Sequence, residues 1–418
     1  MYIVGRLIGW EMGDSAGSGR FRWIVLGITW MAYMSAYLVR TAVAPLTPFL
    51  ISGLNLSKFE VGLLVSASAF GYMAFQMPAG WLVDRIGVRK MLFIGPVVAG
   101  VFILGMYAVG GFVGAMGILV LAGFGCGCFP TVATKAVLNW FPLRERATAI
   151  GINQTSLNVA GIITASILPT LALNFGWRIA IASMGVIPIT AAILSYMFYR
   201  EPQKAKEVEA LKRGPTNWGN LKGVVLDRNI LLVALACMGL CVCEFSFTGY
   251  LVIYLTEAVG VSVALAGGYL ALANLGGVFG KPLFGALSDR VFGGSRRKPL
   301  IIVGASIFVL SILMQMLGAW TPYPLLIGVI VLFGFTAIGW GGMNLVLASE
   351  FAGRENAGLA VGYAAMISLV GNLLGPPIFG WMADTTGSYS VGWWFLTASA
   401  LISVALLLFI QESKRKVR

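Results

Sequence analysis

Apolar residues run along this chain in stretches of about twenty or more, broken by short polar turns. A helix rises 1.5 Å per residue and a bilayer's hydrocarbon core is about 30 Å thick, so each stretch is long enough to span it. The pattern predicts spans at 23–46, 61–82, 91–111, 114–140, 149–172, 179–199, 229–255, 266–287, 299–319, 323–349, 357–382 and 393–411. Most connections are short. The exception is 200–228, "REPQKAKEVEALKRGPTNWGNLKGVVLDR", which is polar and basic and reads as a linker with a charged amphipathic segment. The first twenty residues lack the apolar core and cleavage site of a signal peptide and read as a cytoplasmic tail. The expected fold is therefore an all-α membrane protein of twelve transmembrane helices in two pseudo-symmetric six-helix bundles. Residues 1–199 form the tail and first bundle, 200–228 the linker, and 229–418 the second bundle with its own tail.

The two halves repeat. "GWLVDRIGVRK" (80–90) returns as "GALSDRVFGGSRRK" (285–298), placing Asp84 and Asp289 205 positions apart. "ERATAIG" (145–151) has a weaker echo in "NAGLAVG" (356–362), where Gly151 and Gly362 are 211 apart. Internal duplication of this kind suits a transporter, because two similar bundles can rock about a site between them.

Composition agrees with a membrane location, at 58% hydrophobic and 11% charged residues with a mean hydropathy of +0.88. The net charge of +13 would suggest nucleic acid in a soluble protein. With a cytoplasmic amino terminus, however, 24 of the 29 lysines and arginines fall on the inside. Lys58 and Arg178 fall outside, and Arg40, Lys135 and Lys281 fall within helices. That is the positive-inside bias; it puts both termini in the cytoplasm and removes nucleic acid as a partner. The expected location is the plasma membrane of a prokaryote. Cys126, Cys128, Cys237, Cys241 and Cys243 all fall in apolar helices and read as small packing residues. With no histidine in the chain, no metal site or cofactor is expected.

The segment Gly80, Asp84, Arg85, Gly87, Arg89 and Lys90 resembles the loop signature between the second and third helices of the major facilitator superfamily. The twelve spans, the basic central linker and the second copy around Asp289 and Arg290 extend that resemblance over the whole chain. It implies a cytoplasmic latch in which Asp84 faces the start of the eleventh helix near Ala357, with Arg144 or Arg146 as a partner. Gly80 would allow close helix contact, and the basic residues would stay at the cytoplasmic surface. "YLVR" (37–40) is similar to the organophosphate exchangers, where the matching arginine helps bind the substrate anion. "FPTVATKAVLNWFPLRERATAIG" (129–151) resembles the anion–cation symporters of sugar acids, with Lys135 where their arginine stands. Two departures weaken a phosphorylated substrate and remove one common proton site. Glu244 replaces the exchangers' second arginine, and Val39 replaces the symporters' acidic residue.

A charge inside a spanning helix costs about 2.5–3.5 kcal/mol on insertion scales, so it is expected to face a cavity and a partner. Arg40 lies about 26 Å and Glu244 about 23 Å along helices of the same direction, so the two can face each other across a central path. Lys135 reaches that path only by climbing. Lys281 sits nearer the cytoplasmic end, where snorkelling is its plain alternative. Arg40 can grip a carboxylate bidentately. Glu244 is a candidate proton carrier, a binder of a substrate ammonium, or a neutralising partner for Arg40. Tyr37, Tyr72, Asn153, Asn158, Tyr250, Asn274, Asn344 and Asn372 could complete the pocket, each with packing as its alternative.

The leading expectation is a secondary active transporter of a small organic anion, a carboxylate, working as a monomer by proton-coupled symport or anion exchange. A drug–proton exporter is the nearest rival, but its glycine–proline signature is missing from "GINQTSLNVAGIITASILP". Zwitterionic or phosphorylated ligands remain further alternatives. The chain carries no recognisable nucleophile–base set and no phosphate-binding loop, which argues against an enzyme and against ATP hydrolysis.

Overall fold

The computed structural model describes residues 15–142, 145–201 and 221–411. The expected amphipathic segment of the linker and Arg144 lie outside the described residues. The helices run in order as α1 (Ser15–Thr41), α2 (Thr47–Leu54), α3 (Lys58–Ile86), α4 (Val88–Leu104), α5 (Phe112–Gly127), α6 (Phe129–Trp140), α7 (Arg146–Phe175) and α8 (Trp177–Phe198). The second half holds α9 (Leu221–Val225), α10 (Arg228–Glu257), α11 (Val263–Ala286), α12 (Arg297–Met316), α13 (Tyr323–Ala337), α14 (Met343–Thr386) and α15 (Ser390–Leu408).

Among the described residues, ten helices are long and apolar enough to cross a membrane. An eleventh span is the bent pair Lys58–Gln76 and Pro78–Ile86, which turn by 53° at the helix-interior proline. Proline removes one backbone hydrogen bond and clashes with the preceding turn, which accounts for the bend. The helices start where the sequence supplies caps. Ser57 and Glu60 form a reciprocal capping box on α3, and the Asp227 carboxylate accepts from Ile230 N at 2.9 Å to open α10.

Two expected helices are interrupted. The fourth span breaks at Cys128, between α5 and α6, just ahead of Pro130. The tenth breaks between α13 and α14, where Gly342 adopts φ of 103°, a conformation open to glycine and strained for other residues. The two breaks lie at nearly the half-chain spacing that separates Gly151 from Gly362, so the duplication extends to backbone irregularities. Within α14, Ala348 and Ala364 join Ala234 of α10 in one buried cluster. Sixteen residues of straight helix would hold those alanines about 24 Å apart, so the backbone doubles back between them. The tenth and eleventh spans thus meet in one element.

One large buried core is drawn from residues between Val25 and Tyr199. The other is drawn from residues between Val233 and Ile410, joined only by Ala165 from the first half. The halves meet along α3 against α14 and α7 against α11. Ser15 and Gln411, the first and last described residues, share one face, called the terminal face below; the turns at 55–57 and 387–389 mark the distal face.

Candidate functional site

Between the bundles lies a cavity of about 150 Å³. The first bundle supplies Tyr37, Arg40, Ser68, Asn158 and Thr164 to its wall, and the second supplies Glu244, Thr248, Asn274, Lys281 and Asn372. Arg40 and Glu244, expected to meet from helix depth alone, line the same space without forming an ion pair.

Arg40 is held by neutral groups. Its Nη1 donates to the Tyr37 hydroxyl at 2.6 Å, and its guanidinium lies 4.4 Å from the Tyr72 ring centroid and 5.1 Å from that of Tyr37. Phe245, from the opposite bundle, approaches to 5.6 Å. Aromatic faces attract a cation through their quadrupole, so the charge is retained without a carboxylate. Its Nη2 is buried without a hydrogen-bond partner. Ser68 Oγ, and Asn372 Nδ2 from the second bundle, belong to the same cavity lining and are likewise buried and unpartnered. A buried unmade donor costs about 1–3 kcal/mol, and three together mark a place where a ligand or ordered water is accommodated.

On the facing wall, Glu244 lies within electrostatic reach of Lys281 and, more weakly, Arg40. Lys281 does not snorkel: its Nζ donates to Asn158 Oδ1 at 2.9 Å, a bond from α11 to α7 that crosses between the bundles. Asn274 lines the cavity with its amide donating to Leu270 O at 2.9 Å.

Several expected site residues lie elsewhere. Lys135 is not a cavity residue: its Nζ pairs with Asp84 Oδ1 at 2.8 Å, a charge-assisted bond that fixes it near the terminal face. Asn153 is buried against α1, accepting from Thr29 Oγ1 at 3.3 Å, and Asn344 is buried outside the cavity lining. Tyr72 supports Arg40 from beneath rather than lining the space.

The expected latch residues are also placed differently. Asp84 is bonded to Lys135, while Arg146 donates to the Phe141 and Leu138 carbonyls at 3.0 Å each, a local tie that closes its own turn. Arg85 stacks on Trp81 at 4.0 Å, and Arg89 donates to Tyr196 O at 2.9 Å. Lys90 and Arg290 are exposed. Asp289 pairs with Arg296, which also stands 3.8 Å from Glu350. A Cβ on Gly80 would meet only Thr131 at 3.8 Å, an ordinary contact, so close helix approach does not require glycine there in this state. These ion pairs stay within one bundle, as does Arg22 with Glu145 at 3.1 Å.

The distal face is joined across the bundles by residues that the sequence reading passed over. Asp384, at the end of α14, accepts from the backbone N–H groups of Lys58 at 3.0 Å and Phe59 at 2.7 Å. Lys58 Nζ pairs with Glu257 of α10 at 2.9 Å and lies 4.4 Å from the Tyr389 ring. The Tyr250 hydroxyl, expected in the pocket by its depth, instead donates to Lys58 O at 2.5 Å. Tyr389 donates to Glu257 at 2.7 Å; burial first, and then that bond, push its phenol above the ordinary value, so it remains a donor. Close approach here does require glycine. A Cβ on Gly380 would stand 2.4 Å from Lys58 O, and one on Gly62 would stand 2.6 Å from Pro376 O.

This architecture has counterparts among known proteins. The chain is 26% identical over 396 residues to the hexuronate transporter of Bacillus subtilis (strain 168), covering 93% of each chain. It is 27% identical to a probable sulfoacetate transporter of Cupriavidus necator over 92% of each, and 25% identical to a probable galactarate/D-glucarate transporter of Bacillus subtilis over 95% of this chain and 93% of the other. Among solved structures, a bacterial homologue of the human lysosomal transporter Spinster superposes with a TM-score of 0.77 at 17% identity, over 93% of this chain and 97% of that one. The D-xylose–proton symporter does so with a TM-score of 0.73 at 16% identity, over 93% and 97%. These two similarities carry the fold. The Major Facilitator Superfamily profile matches residues 29–366 and 244–418, and the chain belongs to that superfamily.

Proposed function

We propose that this protein carries a small organic anion, a carboxylate, across a membrane by alternating access of the inter-bundle cavity. The observation that carries the reading is Arg40: a cation held by aromatic rings and one phenol, with Nη2 left unpartnered in a cavity whose lining also holds the unpartnered Ser68 and Asn372. A carboxylate offers two oxygens with the geometry to accept from a guanidinium and a neighbouring amide. Relatives named for hexuronate, sulfoacetate and galactarate/D-glucarate support an anionic cargo.

The positive-inside distribution of Lys and Arg supports a cytoplasmic terminal face, and on that reading the state described is sealed on the outer side. The functional unit is read as a monomer, because one chain supplies both of the bundles that alternating access needs. Glu244 is the candidate proton carrier, being the acidic residue among those lining the cavity. The binding residues are Arg40, Tyr37, Ser68, Asn158, Asn274, Lys281 and Asn372.

The test is ligand-induced thermal stabilisation of the purified protein by organic acids, followed by uptake into proteoliposomes. Arg40→Ala should fold, lose the stabilisation and lose uptake. Retention of both removes Arg40 from the site and with it this reading.

A further inference from the structure

We infer that Glu244 sets the valence of the substrate, so that the cavity selects a small organic monoanion with a neutral hydroxylated body over the corresponding dianion. The inference rests on the reading of the cavity as an organic-anion site and adds to it a charge and a chemical class.

Three of the lining side chains are charged: Arg40, Lys281 and Glu244. With the carboxylate ionised, the wall carries one net positive charge. That charge is not shared evenly. Lys281 and Glu244 stand on neighbouring helices of the second bundle, α11 and α10, and line the same cavity. Lys281 is further occupied by Asn158, to which it donates at 2.9 Å. Arg40, on the first bundle, has no carboxylate beside it; its contacts are the Tyr37 hydroxyl and three aromatic rings. The unbalanced positive charge is therefore Arg40's, and one carboxylate there completes it.

A second anionic group on the ligand would lie towards the wall that holds Glu244, with no uncommitted cation to receive it. Once one carboxylate has balanced the wall, a second would leave the closed cavity with a net negative charge, which burial disfavours. The same wall argues against an ammonium, because Lys281 already answers Glu244. What remains on offer is neutral and hydrogen-bonding: Thr248, Asn274 and Asn372. Hydroxyl groups suit such partners.

The experiment compares acids that share a skeleton and differ by one carboxylate. D-glucuronate and D-glucarate form the six-carbon pair, and glycerate and tartronate a shorter one. Binding to the purified full chain is measured by calorimetry and thermal shift at neutral pH. The wild type should prefer the monoanion of at least one pair by about tenfold or more, the factor that one additional unit charge about 12 Å away contributes at an effective dielectric near 20. Glu244→Gln should lower that preference about tenfold or reverse it. Lys281→Gln, which leaves the wall neutral, should weaken the monoanion by about tenfold. The double variant E244Q/K281Q restores the net charge and should restore the monoanion preference. Melting temperatures without ligand show that each variant is folded, and the Lys281 variant tests the charge count even if the Glu244 variant is unstable.

A wild type that prefers the dianions, a ratio unchanged within twofold in Glu244→Gln, or binding of neither pair overturns the inference. If Arg40→Ala still binds both acids as the wild type does, the organic-anion reading of the cavity fails instead. That outcome is separable, because it is read from affinity rather than from the ratio.

Discussion

The Asp384 carboxylate, at the end of α14, accepts the backbone N–H of Lys58 at 3.0 Å and so holds the first turn of α3 from the other bundle. The neighbouring N–H of Phe59 donates to the second oxygen at 2.7 Å. The first N–H groups of a helix have no partner within it, and an anion placed there also meets the positive end of the helix dipole. The arrangement mirrors the one that family resemblance suggests for the terminal face, with Asp84 of α3 directed at the start of the eleventh span. In this state Asp384 is engaged across the bundles and Asp84 is paired with Lys135 inside its own.

Replacing Asp384 by Ala should therefore loosen the distal seal. Hydrogen bonds to a charged acceptor contribute about 1.5–3 kcal/mol when shielded, and less at an exposed face, so a shift of about fivefold towards the distal-open state is expected. Faster hydrogen exchange of the α3 first-turn amides, measured by mass spectrometry, would report it. Exchange equal to the wild type would show that the bond does not hold the face.

Gly380→Val should act more strongly on the same face. A Cβ there would stand 2.4 Å from Lys58 O and inside contact distance of the Tyr250 hydroxyl, and backbone offers little room to yield. Transport should fall at least tenfold while the protein still folds and binds ligand from the distal side. Side-resolved binding in oriented proteoliposomes checks this; full transport activity would show that the helices can part without losing closure.

Tyr37→Phe removes the hydroxyl that accepts from Arg40 Nη1 at 2.6 Å while keeping the ring against which the cation packs. Arg40 then has two amino groups free to swing. Carboxylate affinity should fall about three- to tenfold, in keeping with about 1 kcal/mol for one positioning hydrogen bond. Calorimetry on the purified variant reads the change, and an unaltered affinity would mean that the rings alone orient the guanidinium.

Lys135→Met separates the observed placement of this lysine from a cavity role. It lies outside the cavity lining, so ligand affinity should stay within about twofold of the wild type. Transport rate should change, because Asp84 loses its partner within the first bundle and becomes free to engage α14. Loss of ligand affinity by tenfold or more would return Lys135 to the binding site.

Much of this was readable in one dimension. Hydropathy runs predict twelve spans, where ten helices and one bent pair among the described residues are long and apolar enough to cross, and helix depth alone brings Arg40 and Glu244 to one cavity. Depth does not give direction around the helix axis, which is why Lys135 and Asn344 were expected in the cavity and lie outside it. The pull of a partner was equally invisible: Lys281 turns inward because Asn158 of the other bundle is there to receive it. The distal seal escaped notice because Lys58, Glu257 and Asp384 read as ordinary charges at the ends of spans. Their meaning comes from pairing over 326 positions in the case of Lys58 and Asp384, a distance that no local pattern encodes. The helix breaks at Cys128 and Gly342 were masked by apolar runs that continue through them.

The chemistry of the distal seal also bears on the speed of the cycle. Lys58, Phe59, Glu257 and Asp384 meet at the rim, where water can take over each bond as it parts. Exchanging such bonds for water costs little net free energy, unlike stranding a charge in hydrocarbon. Closure of that rim is thus a shallow well, and dwell time in either state is governed by what occupies the cavity more than by the rim itself. A carrier sealed this way avoids becoming its own kinetic trap.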